Sequence, residues 1–170
     1  AKLGYELTSA QKRVISEIAA DMEKPVPMNR LLQGDVGSGK TAVAVYALCV
    51  ASANGRQGAL LAPTELLAEQ HFQSISAFFG SAVVLLTGGM KKAEREAALE
   101  RIANGSALCV VGTHALLSGD VKFYDLGCVV TDEQHRYGVG QRTRLLRKGG
   151  DVRPDMLVMS ATPIPRTLAL

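Results

Sequence analysis

Six short apolar runs constrain the fold of this chain more than any other feature. They read MNRLLQ (28–33), GALLAP (58–63), AVVLLT (82–87), ALCVVG (107–112), LGCVVT (126–131) and DMLVMS (155–160). Continuous rather than alternating, they predict strands covered on both faces, as in a parallel sheet. Candidate helices lie between them near 9–22, 40–53, 65–78, 91–103 and 139–147. Gly55, Gly80 and Gly105 stand where several of these helices would end, and glycine accepts the positive φ that closes a helix. Strand and helix in regular alternation predict an α/β fold of three layers, helices on both faces of a mainly parallel sheet, with right-handed crossovers.

The turn after the first run reads G-D-V-G-S-G-K-T from Gly34 to Thr41, a full match to the Walker A pattern. A strand precedes it and a helix follows, as the pattern requires. Gly34, Asp35, Val36, Gly37, Ser38 and Gly39 can turn backbone N–H groups inward around phosphate oxygens, and the helix start adds its positive dipole end. Lys40 supplies a charge for the outer phosphates, and the Thr41 hydroxyl is a ligand for Mg²⁺. The plain alternative is a glycine-rich turn that holds nothing.

Hydrolysis needs acids near that turn. CVVTDEQH (128–135) is an apolar strand that ends in Asp132 and Glu133. Asp132 fits the carboxylate that holds the metal through water, and Glu133 fits a general base that polarises the attacking water. Two solvated acids at a strand end are the bland reading. Both motifs would lie at the carboxyl edge of one sheet, where α/β ligands bind.

Walker A followed by APTELLAEQ (62–70), LTGG (86–89), VVGTHALL (110–117), DEQH (132–135) and SATPIPRT (160–167) resembles the first motor domain of superfamily 2 helicases and translocases. The resemblance spans nearly the whole chain and implies a RecA-like P-loop NTPase domain using ATP and Mg²⁺. Within the superfamily, LTSAQKRVISEI, DEQHRYGVGQR and SATPIPRTLAL look like the bacterial translocases that remodel branched DNA and stalled forks. Transcription-repair coupling translocases are the alternative. Their acidic motif usually reads Asp-Glu-Glu-His, whereas Gln134 stands here.

The same resemblance implies roles residue by residue. Gln11 would read the adenine edge, with Tyr5 or its neighbours near the base. Thr8-Ser9-Ala10-Gln11 is also a capping-box pattern that simply starts a helix, and the two readings can coexist. Ser160, Ala161 and Thr162 would link the nucleotide site to the DNA track; alternatively they are a strand end and a proline-stiffened turn. Gln134, His135 and His114 suit hydrogen-bonding couplers.

Such motors follow the backbone of one strand, so DNA contacts should be polar and tolerant of sequence. Pro63 and Thr64 open one helix, Gly88 and Gly89 allow a close approach with Lys91 and Lys92 following, and Thr113 and His114 open another helix. Each has an ordinary reading: Thr64 as a helix cap, the lysines as a solvated first turn.

Composition limits other functions. Lys and Arg exceed Asp and Glu by only three (19 against 16), too few to argue for nucleic acid by bulk charge. Cys49, Cys109 and Cys128 lie apart in apolar runs, which suits buried thiols in a reducing compartment. No membrane span or signal peptide is expected, so a cytoplasmic location is. A GTPase would carry Asn-Lys-x-Asp, which does not occur, and no lid for a kinase acceptor stands out. Residues 1–170 are read as one domain of a larger chain. A second motor domain with arginine fingers and a wedge region are its expected partners. Alone, the chain is expected to bind ATP–Mg²⁺ weakly and to hydrolyse it barely.

Overall fold

The structure, a computed structural model, describes residues 8–33, 39–132, 139–150 and 153–160, with the backbone alone at 139–142. In chain order these form α1 (Ser9–Glu23), β1 (Asn29–Gln33), α2 (Lys40–Ala53), β2 (Gln57–Leu61), α3 (Glu65–Phe79), β3 (Val83–Leu86), α4 (Lys92–Asn104), β4 (Cys109–Gly112), β5 (Leu126–Asp132), α5 (Val139–Arg147) and β6 (Asp155–Ser160). Each predicted strand and helix is present, with ends within two residues of those expected. The strands make one sheet in the order β1-β6-β5-β2-β4-β3, and every pair is parallel.

Alternate residues of β2 to β6 feed two cores, while the edge strand β1 adds Leu32 to one of them. Cys109 and Val111 of β4 and Cys128 and Val130 of β5 join Ile18, Val43, Leu48, Ala68 and Ile75 beneath α1, α2 and α3. Val110 and Val129 join Ala98, Ile102, Leu116 and Leu145 on the other face, beneath α4 and α5. The three layers follow from strands that are apolar on both sides.

Local chemistry sets the helix ends. Thr8 caps α1 by a reciprocal pair: the Gln11 N–H donates to Thr8 Oγ1 (3.1 Å), and the Thr8 N–H donates to Gln11 Oε1 (2.8 Å). Thr64 caps α3 by accepting from the Leu67 N–H at 3.2 Å. Gly80 (φ 58°) follows α3 and Gly105 (φ 83°) follows α4. Helix α2 has no side-chain cap; Ala42, Val43, Ala44, Val45, Ala47, Leu48 and Ala51 are buried around most of its circumference. It contacts both the sheet and α1, so burial stabilises it, at about 1.5–3 kcal/mol for each large side chain.

Two expectations need correction. Thr113 and His114 open only a four-residue 3₁₀ turn, His114–Leu117, whose Ala115, Leu116 and Leu117 are buried against the sheet. Cys109 and Cys128 are buried, but Cys49 is only half-buried. Burial pushes the Cys128 thiol up to about 12 and the Cys109 thiol still higher.

Candidate nucleotide site and its neighbouring loops

The register of the sheet fixes the rim on which the site stands. Leu32 of β1 lies opposite Met159 of β6, and Met159 lies opposite Asp132 of β5. One residue further, Gln33 pairs with Ser160. The glycine turn leaves directly after Gln33, and Asp132 is the last residue of β5. One intervening strand puts the two strand axes about 10 Å apart. Ser160, read as a coupler, ends the strand between them.

On the helix side of the turn, Gly39 sits at φ 84° immediately before Lys40, the first residue of α2. The Gln11 side chain, itself buried, donates from Nε2 to the Gly39 carbonyl at 3.3 Å. A Cβ on Gly39 would overlap that Nε2. The amide expected at the adenine is thus a cap for α1 and a strut under the turn together. Gln11, Gly39, Lys40, Leu32, Gln33 and Val43 border a cleft of about 180 Å³. Lys40 and Thr41 are half-buried at the helix start, where its first N–H groups lack intrahelical partners.

Asp132 is almost wholly buried and has a partner not foreseen from the sequence. His71 Nε2 lies 2.7 Å from Asp132 Oδ2, with side chains 11% and 8% exposed. A carboxylate only accepts, so the ring nitrogen donates. Asp132 shares strand parity with Cys128 and Val130, which face α1–α3, and His71 lies on the buried stripe Ala68–His71–Ile75 of α3. That stripe was the available signal: a polar residue at core-facing helical spacing needs a partner inside.

The loops expected at DNA leave the other half of the rim, where β2, β4 and β3 are adjacent. Thr64, Gly88 and Gly89 are exposed and Pro63 half-exposed. The Gly89 N–H is already engaged, donating to Glu65 Oε1 at 3.1 Å. His114 is exposed, whereas Thr113 is buried, with its hydroxyl accepting from the Ala115 N–H at 3.5 Å and its own N–H donating to the Leu86 carbonyl. Lys91 precedes α4, and Lys92 pairs loosely with Glu96 at 3.9 Å. Tyr5, Gly34, Asp35, Val36, Gly37, Ser38, Glu133, Gln134, His135, Ala161 and Thr162 lie outside the described residues. Among the described residues no three His, Cys, Asp or Glu side chains form a metal cluster. Nor, among them, is any helix long and apolar enough to cross a membrane.

A parallel sheet covered on both faces, with a strand–glycine turn–helix unit and an acid-tipped strand on one rim, is the architecture of a RecA-like helicase domain. Residues 8–170 match the DEAD/DEAH box helicase family, and the chain belongs to that family. The particular relatives agree with the preference for branched-DNA translocases. The chain is 56% identical over 171 positions to ATP-dependent DNA helicase RecG of Bacillus subtilis (strain 168), covering 99% of this chain and 25% of that protein. It is 54% identical to the Synechocystis protein of the same name, covering 99% and 20%. A solved structure of RecG bound to a three-way DNA junction superimposes with a TM-score of 0.83 at 47% identity, covering 98% of this chain and 22% of that one. The UvsW helicase of bacteriophage T4, at TM-score 0.69 and 18% identity over 93% of this chain and 53% of that one, shares the fold. The chain thus spans about a quarter of the length of the curated relatives it matches.

Proposed function

We propose that the chain is the first, ATP-binding motor domain of a RecG-like DNA helicase that remodels branched DNA and stalled forks. The observation that supports this best is the cross-sheet row Leu32–Met159–Asp132, which sets the acid at the level where the glycine turn leaves β1. The donor types suit ATP with Mg²⁺: a lysine and a hydroxyl at a helix start, glycine where a Cβ has no room, and a carboxylate at a strand tip. Magnesium keeps several waters and takes few protein ligands, so Thr41 directly and Asp132 through water would be enough. Bound there, the ion would neutralise charge on the outer phosphates.

In this reading the residues divide the work. The amides of 34–39 cradle the phosphate chain, Lys40 adds positive charge and Gln11 holds the turn beneath the base. Asp132 orients the metal's waters, and Glu133 takes a proton from the attacking water, a role of about 10²–10⁴ in rate. Ser160, Ala161 and Thr162, with Gln134 and His135, relay the state of the site to the loops at Thr64, Gly88–Gly89 and His114, which hold a DNA backbone. Thr113 would contribute by shaping its turn. A second motor domain of the parent chain supplies an arginine, typically worth about 10³–10⁵. The parent protein works on DNA in the cytoplasm.

The test is ATP turnover by the full-length parent with and without a three-way DNA junction. Stimulation by the junction is expected; turnover indifferent to it would refute the branched-DNA reading. Lys40→Ala should abolish nucleotide binding. Glu133→Gln should bind ATP normally and cleave it about 10²–10⁴ times more slowly. The isolated 170 residues should bind ATP with negligible turnover.

A further inference from the structure

We propose that His71 is the positioning residue of the metal site, holding the Asp132 carboxylate in the orientation that receives metal-bound water. The inference rests on the nucleotide-site reading above. Asp132 is the last residue of β5, and its carboxylate turns about two side-chain torsions that backbone pairing does not set. The bond from His71 Nε2 to Oδ2 is short at 2.7 Å and shielded from solvent on both sides. A buried bond to a carboxylate is about twice as strong as a neutral one, and it selects one rotamer. It engages one oxygen and leaves Oδ1 able to accept from a water of the ion. Partners that orient a direct metal ligand typically change metal affinity by about 10–100-fold; Asp132 acts through a water, so the effect of His71 falls at the lower end of that range.

His71 is itself held firmly. It lies between Ala68 and Ile75 on the inner stripe of α3, both fully buried. The donor therefore stands on a rigid element, and Asp132 is the group that would otherwise turn. The ordinary alternative is a buried histidine whose polar atom merely needed a partner. The two differ in one respect: positioning affects metal binding, whereas satisfaction affects only stability.

The experiment uses the full-length parent protein with a non-hydrolysable ATP analogue, and Mn²⁺ binding read by electron paramagnetic resonance. His71→Leu fills the space without a donor; His71→Gln keeps an N–H that can reach a carboxylate. Expected are a Mn²⁺ affinity lowered about tenfold in His71→Leu, recovery of most of it in His71→Gln, and unchanged metal-free analogue binding in both. Unchanged Mn²⁺ affinity in His71→Leu, or no recovery in His71→Gln, overturns the proposal. Should His71→Leu not fold, the wild-type protein decides. Its His71 imidazole ¹⁵N signal should move on adding Mg²⁺ to the analogue complex, and a signal that stays put is an adverse result. Asp132→Asn separates the two readings: if it leaves Mn²⁺ affinity intact, the metal site itself is misassigned. If it weakens Mn²⁺ while His71→Leu does not, only the His71 inference fails.

Discussion

Gly39 meets two demands that no other residue satisfies. Its φ of 84° is left-handed, which costs a residue bearing Cβ about 1–2 kcal/mol, and its missing Cβ makes room for Gln11 Nε2. Gly39→Ala should therefore lower the affinity for a fluorescent ADP analogue by about tenfold or more. Adding Gln11→Ala should relieve the overlap but not the backbone, so the double variant stays weak in the same titration. Asp155 presents a different balance at the opposite end of the sheet. Burial raises its carboxyl above the usual range, against the Met28 N–H that donates to Oδ1 at 2.7 Å. A raised acid favours its protonated form in the folded state, so this group lowers stability as pH rises past the ordinary carboxylate range. Asp155→Asn keeps the acceptor and removes the charge. Its thermal midpoint should equal or exceed wild type at pH 7, the gap closing towards pH 4. At this scale the places of Gly39 before α2 and of Asp132 at the end of β5 were legible, because each is a residue type in a required position. His71 was not, because its meaning depends on which strand α3 covers.

Helix α3 joins the two halves of the rim. Its cap, Thr64, and its first acid, Glu65, stand among the loops expected at DNA, while His71, two turns on, reaches Asp132. Glu65 Oε1 holds the Gly89 N–H, a group a DNA phosphate could otherwise use. A phosphate at Gly89 must displace that carboxylate. Glu65→Ala should therefore raise the DNA affinity of the full-length protein a few-fold, the ~0.2–1 kcal/mol scale of an exposed charge. The gain should shrink as salt is raised, which fluorescence anisotropy across a salt series will read. The element boundaries were readable because caps and glycines mark them: Thr8, Thr64, Gly80 and Gly105 carry the signal. The 3₁₀ turn at 114–117 was harder to place, since Thr113 with a following apolar run looks like a helix start. Ser118 closes it, its N–H donating to the Ala115 carbonyl, with Leu116 and Leu117 buried.

For the whole molecule, doubly covered strands predicted a parallel sheet, and it is parallel throughout. Strand order was not readable, because a helical crossover does not specify which neighbour its strand will take. That order nonetheless assembles the rim, with β1, β6 and β5 on the nucleotide side and β2, β4 and β3 on the other. The doubly covered sheet also seals two thiols. Cys109 and Cys128 should resist an alkylating reagent at pH 8 until denaturant is added, as peptide mass spectrometry would report. The placement of β6 has a further effect during synthesis. Its residues are made after those of all five other strands, yet they fill the slot between β1 and β5. A nascent chain still lacking Asp155–Ser160 can assemble β5-β2-β4-β3, but β1 then keeps its Arg30 ion pairs and Leu32 packing and lacks its strand partner, so Gln33 and Asp132 are not yet set on one rim.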